Sequence, residues 1–176
     1  MALTLIDEVV QTDYGQMDIT WSSATYGFDG DFDRFFDGQT NGLVGASDPE
    51  GVYFHLARRS GGSRLRIELL DVAPDDQPAY QDVVEVSVRI PEGADVRWST
   101  WAGETGGALD LPAATYRMRV SAKDRDAGHA GEFADDVVDF YLIQFWPDSP
   151  RPDEIVRTGS QNAEYWHREI GSRRTP

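Results

Sequence analysis

Cysteine is absent from the 176 residues, which excludes disulfides, thiolate metal sites and cysteine nucleophiles together and is compatible with a reducing compartment. Lysine is nearly absent: Lys123 is the single one among 16 basic residues. Basic residues of either kind are scarce in the first third, where ten Asp or Glu stand against Arg34 alone before position 58. Also missing are GxSxG, GxxxxGK(S/T) and GxGxxG, so serine-hydrolase and nucleotide readings have no local support. His55, His129 and His167 stand apart with no HExxH or HxH spacing around them. The opening Met1 to Val10 contains Asp7 and Glu8, lacks a basic leader, and is too short for a signal peptide or a membrane span, so a cytoplasmic protein is expected.

What is present is acid and aromatic side chains. Asp and Glu number 31, giving a formal net charge of −15. Such a field repels nucleic acid and membrane surfaces and attracts cationic partners. Five Trp, seven Tyr and eight Phe in a chain that is 40% hydrophobic argue against disorder, because disordered acidic chains are poor in such residues. The length suits one domain with a substantial core.

Strand periodicity dominates. Gln16 to Trp21 places Met17, Ile19 and Trp21 on one face and Gln16, Asp18 and Thr20 on the other, the period-two signature of a half-buried strand. Arg64 to Val72, Asp82 to Ile90 and Thr115 to Ala122 follow the same rule, with Arg117 and Arg119 expected on the outer face of the last. Val52 to Ala57, Val96 to Trp101 and Ala108 to Leu111 are weaker strands, and Val137 to Trp146 is apolar on both faces, as a central strand should be. Turn residues at 60–62, 73–76, 91–93 and 106–107 separate these runs. The expected fold is all-β: an antiparallel two-sheet sandwich of about eight strands spanning residues 1–147. Residues 148–176 are read as a Pro-rich connection and a helix, N-capped by Ser160, that docks through Ala163, Trp166 and Ile170.

Asp29, Asp31 and Asp33 have the alternation that can converge on a hard cation such as calcium. The helix-loop-helix calcium pattern then fails, because Arg34 stands where Gly is needed and Thr40 where a bidentate Glu is needed. No metal or cofactor is therefore assigned, and no residue is assigned a catalytic role. The run Phe28-Asp29-Gly30-Asp31-Phe32-Asp33 instead suggests a phosphate-mimicking surface, with carboxylates spaced along a loop and aromatic anchors between them. On this reading Asp29, Asp31, Asp33 and Asp37, with Phe32 and Phe35, contact a basic protein such as a nuclease. The alternative is a calcium- or carbohydrate-binding sandwich using loop carboxylates and one of Trp98 and Trp101, which are three apart and so project to opposite faces of a strand.

Two stretches resemble a known family: Leu109-Asp110-Leu111-Pro112-Ala113-Ala114-Thr115-Tyr116-Arg117, and Asp139-Phe140-Tyr141-Leu142-Ile143-Gln144-Phe145-Trp146. In this order, behind an early amphipathic strand and an acidic aromatic loop, they look like the competence protein J family across residues 13 to 146. Members of that family are small acidic proteins described as inhibitors of a competence-associated DNA-entry nuclease, so the resemblance implies a non-enzymatic inhibitor. The Leu-Ile-Gln-Phe-Trp-Pro ending and the helix after it also look like uncharacterised bacterial proteins.

Overall fold

The computed structural model describes residues 1–22 and 28–174. Eleven strands form two sheets among the described residues, with three short α-helices around them. The first sheet contains β1 (Ala2–Asp13), β5 (Ser60–Leu70), β6 (Asp82–Ile90), β9 (Ala114–Lys123), β10 (Phe140–Pro147) and β11 (Glu154–Arg157), in the order β1-β5-β10-β9-β6-β11. The second contains β2 (Gln16–Thr20), β3 (Val44–Gly45), β4 (Gly51–His55), β7 (Arg97–Thr100) and β8 (Gly106–Ala108), in the order β3-β4-β2-β7-β8. The helices are α1 (Phe32–Phe36), α2 (Arg125–Ala130) and α3 (Gln161–Glu169).

The two-sheet sandwich is as expected, but the strand count is eleven rather than about eight, and the first sheet is mixed. Its β10 runs parallel to β5, with Ile143 opposite Ile67, and antiparallel to β9. Periodicity alone missed β1 because a bulge between Thr4 and Ile6 breaks its alternation, and an edge strand keeps only one face packed. It missed β11 because four residues with a register shift between Ile155 and Arg157 carry too little pattern to register.

Between the sheets lies the core that period-two patterning selects. Met17 and Ile19 of β2, Val52 and Phe54 of β4, Leu65 and Ile67 of β5, Val84 and Val86 of β6, and Met118 of β9 are all buried there. The Leu-Pro stretch has a structural explanation: the Tyr116 hydroxyl donates to the Pro112 carbonyl at 2.8 Å, pinning the corner where the chain enters β9, as tyrosine corners do in other sandwiches.

Arg117 corrects a second expectation. It points away from the intersheet core yet is fully buried, because the segment after β10 folds across the outer face of the first sheet. Its guanidinium meets Glu85 at 3.1 Å and donates to the carbonyls of Arg151 and Pro152. Glu85 also receives Arg119 at 2.8 Å. Beyond that segment, Ser160 caps α3 by accepting from the Ala163 N–H, and Ala163 is completely buried, as the helical spacing required.

Candidate partner-binding surface

Alternation along β4 sends Val52 and Phe54 into the core and so leaves Tyr53 and His55 on the outer face of the second sheet. An aromatic layer covers them. Phe28 stacks on Tyr53 with centroids 3.8 Å apart, Phe32 lies 5.3 Å from His55, and Trp166 of α3 stacks on His55 at 4.1 Å. Phe35 and Phe36 of α1 are buried in the same small core. Phe35, expected as a partner anchor, is therefore consumed by intramolecular packing, and Phe32 is half-buried against the same rings. A Phe-rich loop on an otherwise exposed sheet face gains more by folding down than by waiting for a partner, since each ring removed from water contributes about 1.5–3 kcal/mol.

The carboxylates of the segment do not converge. Asp31 is the N-cap of α1 and accepts from the Arg34 N–H at 3.1 Å. Asp29 faces Arg34 at 3.4 Å, and Asp33 pairs with Arg173. Asp37 is exposed, and its backbone carbonyl accepts from the Ser47 hydroxyl. Asp29, Asp31 and Asp33 thus form no cation cage, and among the described residues no group of three His, Asp or Glu is placed to hold a metal ion.

Beneath Phe28, Asp18 of β2 is buried, with the Phe28 N–H donating to it at 3.1 Å. Burial pushes its pKa up to about 7, the hydrogen bond opposing this in part. The sequence had no signal for this residue beyond its place on the polar face of β2; the cover that buries it comes from Phe28, ten residues away.

The histidines divide. His129 is exposed on α2, whereas His55 and His167 are buried. Burial, and then the positive charge of Arg125, holds His55 well below the usual imidazole range and brings His167 down to about 4. Both rings are neutral at pH 7. His167 accepts from the Gly42 N–H through Nδ1 at 3.0 Å, and Arg125 donates to the His55 carbonyl and to Asn162. The His55 Nδ1 lies 3.3 Å from the Tyr53 hydroxyl, and the buried Nε2 of each ring has no hydrogen-bond partner among the described residues.

Two further acidic groups are engaged within the fold, Asp126 exposed and Asp139 buried. Asp126 accepts from the Gln161 and Asn162 N–H groups at the start of α3, and Asp139 accepts from the hydroxyls of Ser63 and Tyr141. Of the paired tryptophans, Trp98 is core and Trp101 is 37% exposed. Between α2 and α3 an open groove of about 730 Å³ is bordered by Asp126, His129, Tyr165 and Trp166.

Fold and surface together define a mostly-β, two-sheet protein of strongly acidic composition. Among solved structures it is similar to ComJ of Bacillus subtilis, described as the inhibitor of the DNA-degrading activity of NucA, with a TM-score of 0.57 and 15% identity over 84% of this chain and 99% of ComJ. It is also similar to the crocagin biosynthetic gene J product, with a TM-score of 0.52 and 14% identity over 85% of this chain and 99% of the other. The resemblance to the competence protein J family holds at the level of the fold. No family model and no curated protein sequence matches the chain.

Proposed function

We propose that this chain is a non-enzymatic acidic binding protein that occludes a basic site on another protein, with a nuclease as the first candidate partner. The observation that carries the reading is a fold shared with a nuclease inhibitor over 84% of the chain, in a molecule whose net charge is −15. A nuclease groove is built to hold phosphates, and a carboxylate-rich surface competes for the same cations. The exposed Asp29, Asp31, Asp33 and Asp37 contribute to the field that steers a basic partner. Two of them already face guanidinium groups, so their expected effect is on association rate more than on the lifetime of the complex.

Adding the purified chain to an extract of its source cell should slow DNA degradation, and raising ionic strength should restore it by screening exposed charges. The variant with Asp29, Asp31, Asp33 and Asp37 all replaced by Asn should associate roughly three- to tenfold more slowly, within the range over which steering alters on-rates. Inhibition that persists undiminished in strong salt, or no inhibition at any concentration, would remove the reading.

A second reading, carbohydrate binding, is supported by the α2–α3 groove, where Tyr165 and Trp166 meet edge to face beside Asn162 and Gln161. Quenching or enhancement of tryptophan fluorescence by a neutral oligosaccharide would favour it.

A further inference from the structure

Three aromatic side chains that packing leaves exposed meet at one end of the sandwich, and none belongs to the Phe-rich segment. Tyr14 (55% exposed) sits in the two-residue corner between β1 and β2, Trp101 opens the turn between β7 and β8, and Phe133 (88% exposed) lies between α2 and β10. The Tyr14 and Trp101 rings are 4.8 Å apart. With Asp13, Arg59 and Glu132 the three rings border one open groove of about 290 Å³. The 132–136 loop is held in place from below by buried Arg58, which donates to the carbonyls of Ala134 and Asp136.

The backbone is strained at two points of this patch. Tyr14 has φ 55° and Ala102, next to Trp101, has φ 53°, a left-handed conformation that costs a residue with a Cβ about 1–2 kcal/mol. At Gly15 (φ 62°) the requirement for glycine is plain, because a Cβ would lie 2.5 Å from the Leu56 carbonyl oxygen. At Tyr14 a glycine or asparagine would serve the turn better, yet a large exposed ring is kept there.

Charge identifies the occupant. Asp13 and Glu132 border the groove, the neighbouring Asp13 carboxyl raises the pKa of Glu104, and Asp135 and Asp136 are exposed on the same loop as Phe133. Arg59 is the one basic side chain that borders the groove among the described residues; it lies 5.5 Å over the Tyr14 ring and 3.7 Å from Glu132. That contact shows what the surface accepts: a planar cation on an aromatic face with a carboxylate at its edge.

We infer that this end of the sandwich, centred on Tyr14, Trp101 and Phe133, is the surface that grips an arginine-rich segment of a basic protein. The inference rests on the binding role proposed above and moves its energetic centre from the Phe28–Asp37 segment, whose rings are spent in the fold, to a patch whose rings stay exposed. Exposed Tyr and Trp beside carboxylates are the residue types that dominate binding energy at protein interfaces. A second copy of the chain would set carboxylate against carboxylate here, and a neutral sugar would leave the acidic rim without a partner.

The full chain is titrated with a labelled Arg-Gly nonapeptide, with a Glu-Gly nonapeptide and a neutral glucan oligosaccharide as controls. Binding of the arginine peptide alone is expected, with Trp101 fluorescence responding. Tyr14→Gly relieves the strained φ, and Phe133→Ser removes a ring that packs on almost nothing, so both variants should melt no lower than the parent. Each should nevertheless weaken binding at least fivefold, as should Trp101→Ala. If the patch variants bind as the parent does while the four-Asn variant of the 29–37 segment does not, the acidic binding role stands and this surface is wrong. If the parent ignores the arginine peptide and takes the glucan, or self-associates through the patch, the inference is overturned. If the parent neither binds the arginine peptide nor slows DNA degradation, the binding role fails with it.

Discussion

Replacing Glu85 by alanine is expected to destabilise the fold by about 3–5 kcal/mol, the cost of leaving a buried charge without its partner. The Arg117 side chain is completely buried and Arg119 is 17% exposed, and both guanidinium groups converge on the one carboxylate at 3.1 and 2.8 Å. Without it, the remaining acceptors of Arg117 are the Ser87 hydroxyl and the carbonyls of Arg151 and Pro152, which satisfy N–H groups but not the charge. Urea unfolding should show a lower midpoint at unchanged slope. Adding Arg117→Met to Glu85→Leu should recover at least half of the loss, because apolar residues of similar size often replace a buried ion pair at little net cost. A loss below 1 kcal/mol for Glu85→Ala would mean that water reaches the pair, and that the 147–153 crossing does not seal the outer face of the first sheet.

Asp18→Asn is expected to stabilise the protein above neutral pH and to leave it nearly unchanged in acid. The folded-state pKa of about 7 stands above the value near 3.9 of an unfolded aspartate. Between those limits the folded chain holds a proton that the unfolded chain releases. Stability is therefore full below about pH 4 and declines as the pH rises through 7. Three pKa units correspond to an upper bound of about 4 kcal/mol, and relaxation around a charged Asp18 reduces the expected gain at pH 8 to about 1–3 kcal/mol. Asparagine keeps an oxygen to accept the Phe28 N–H, so the packing of that segment is retained. Unfolding of parent and variant at pH 4, 6 and 8 isolates the effect from the general repulsion of an acidic chain; a difference between them that does not grow with pH would show that the carboxyl is solvated.

Much of the sandwich is legible along the chain, because strands such as β6 and β9 have one dry face and their alternation repeats it. Asp82–Ile90 is delimited in full, and α3 follows from Ser160 and the three- and four-residue spacing of Ala163, Trp166 and Ile170. Local pattern is silent where burial comes from something distant. Arg117 and Asp18 occupy polar positions in correct alternation, yet one is covered by the crossing after β10 and the other by Phe28. Period two specifies which side of a strand a residue occupies, and says nothing of whether that side is later roofed.

The candidate surface shows the same division. Alternating Asp and Phe from 28 to 33 reads as a ligand-facing ridge, but the neighbouring sheet face presents Tyr53 and His55, and the Phe rings fold onto them. Tyr14, Trp101 and Phe133 give no joint signal, being separated by 87 and then 32 positions.

By itself the sequence determined the strand-rich class, the intersheet core, the capped C-terminal helix and the sign of the field, since these depend on local periodicity, local capping and a sum of charges. Only the tertiary structure decided which aromatic rings stay in water, which carboxylates keep their charge unpaired, and how the sheets are ordered. Those outcomes depend on segments far apart in the chain competing for the same neighbours, and no local pattern records who wins.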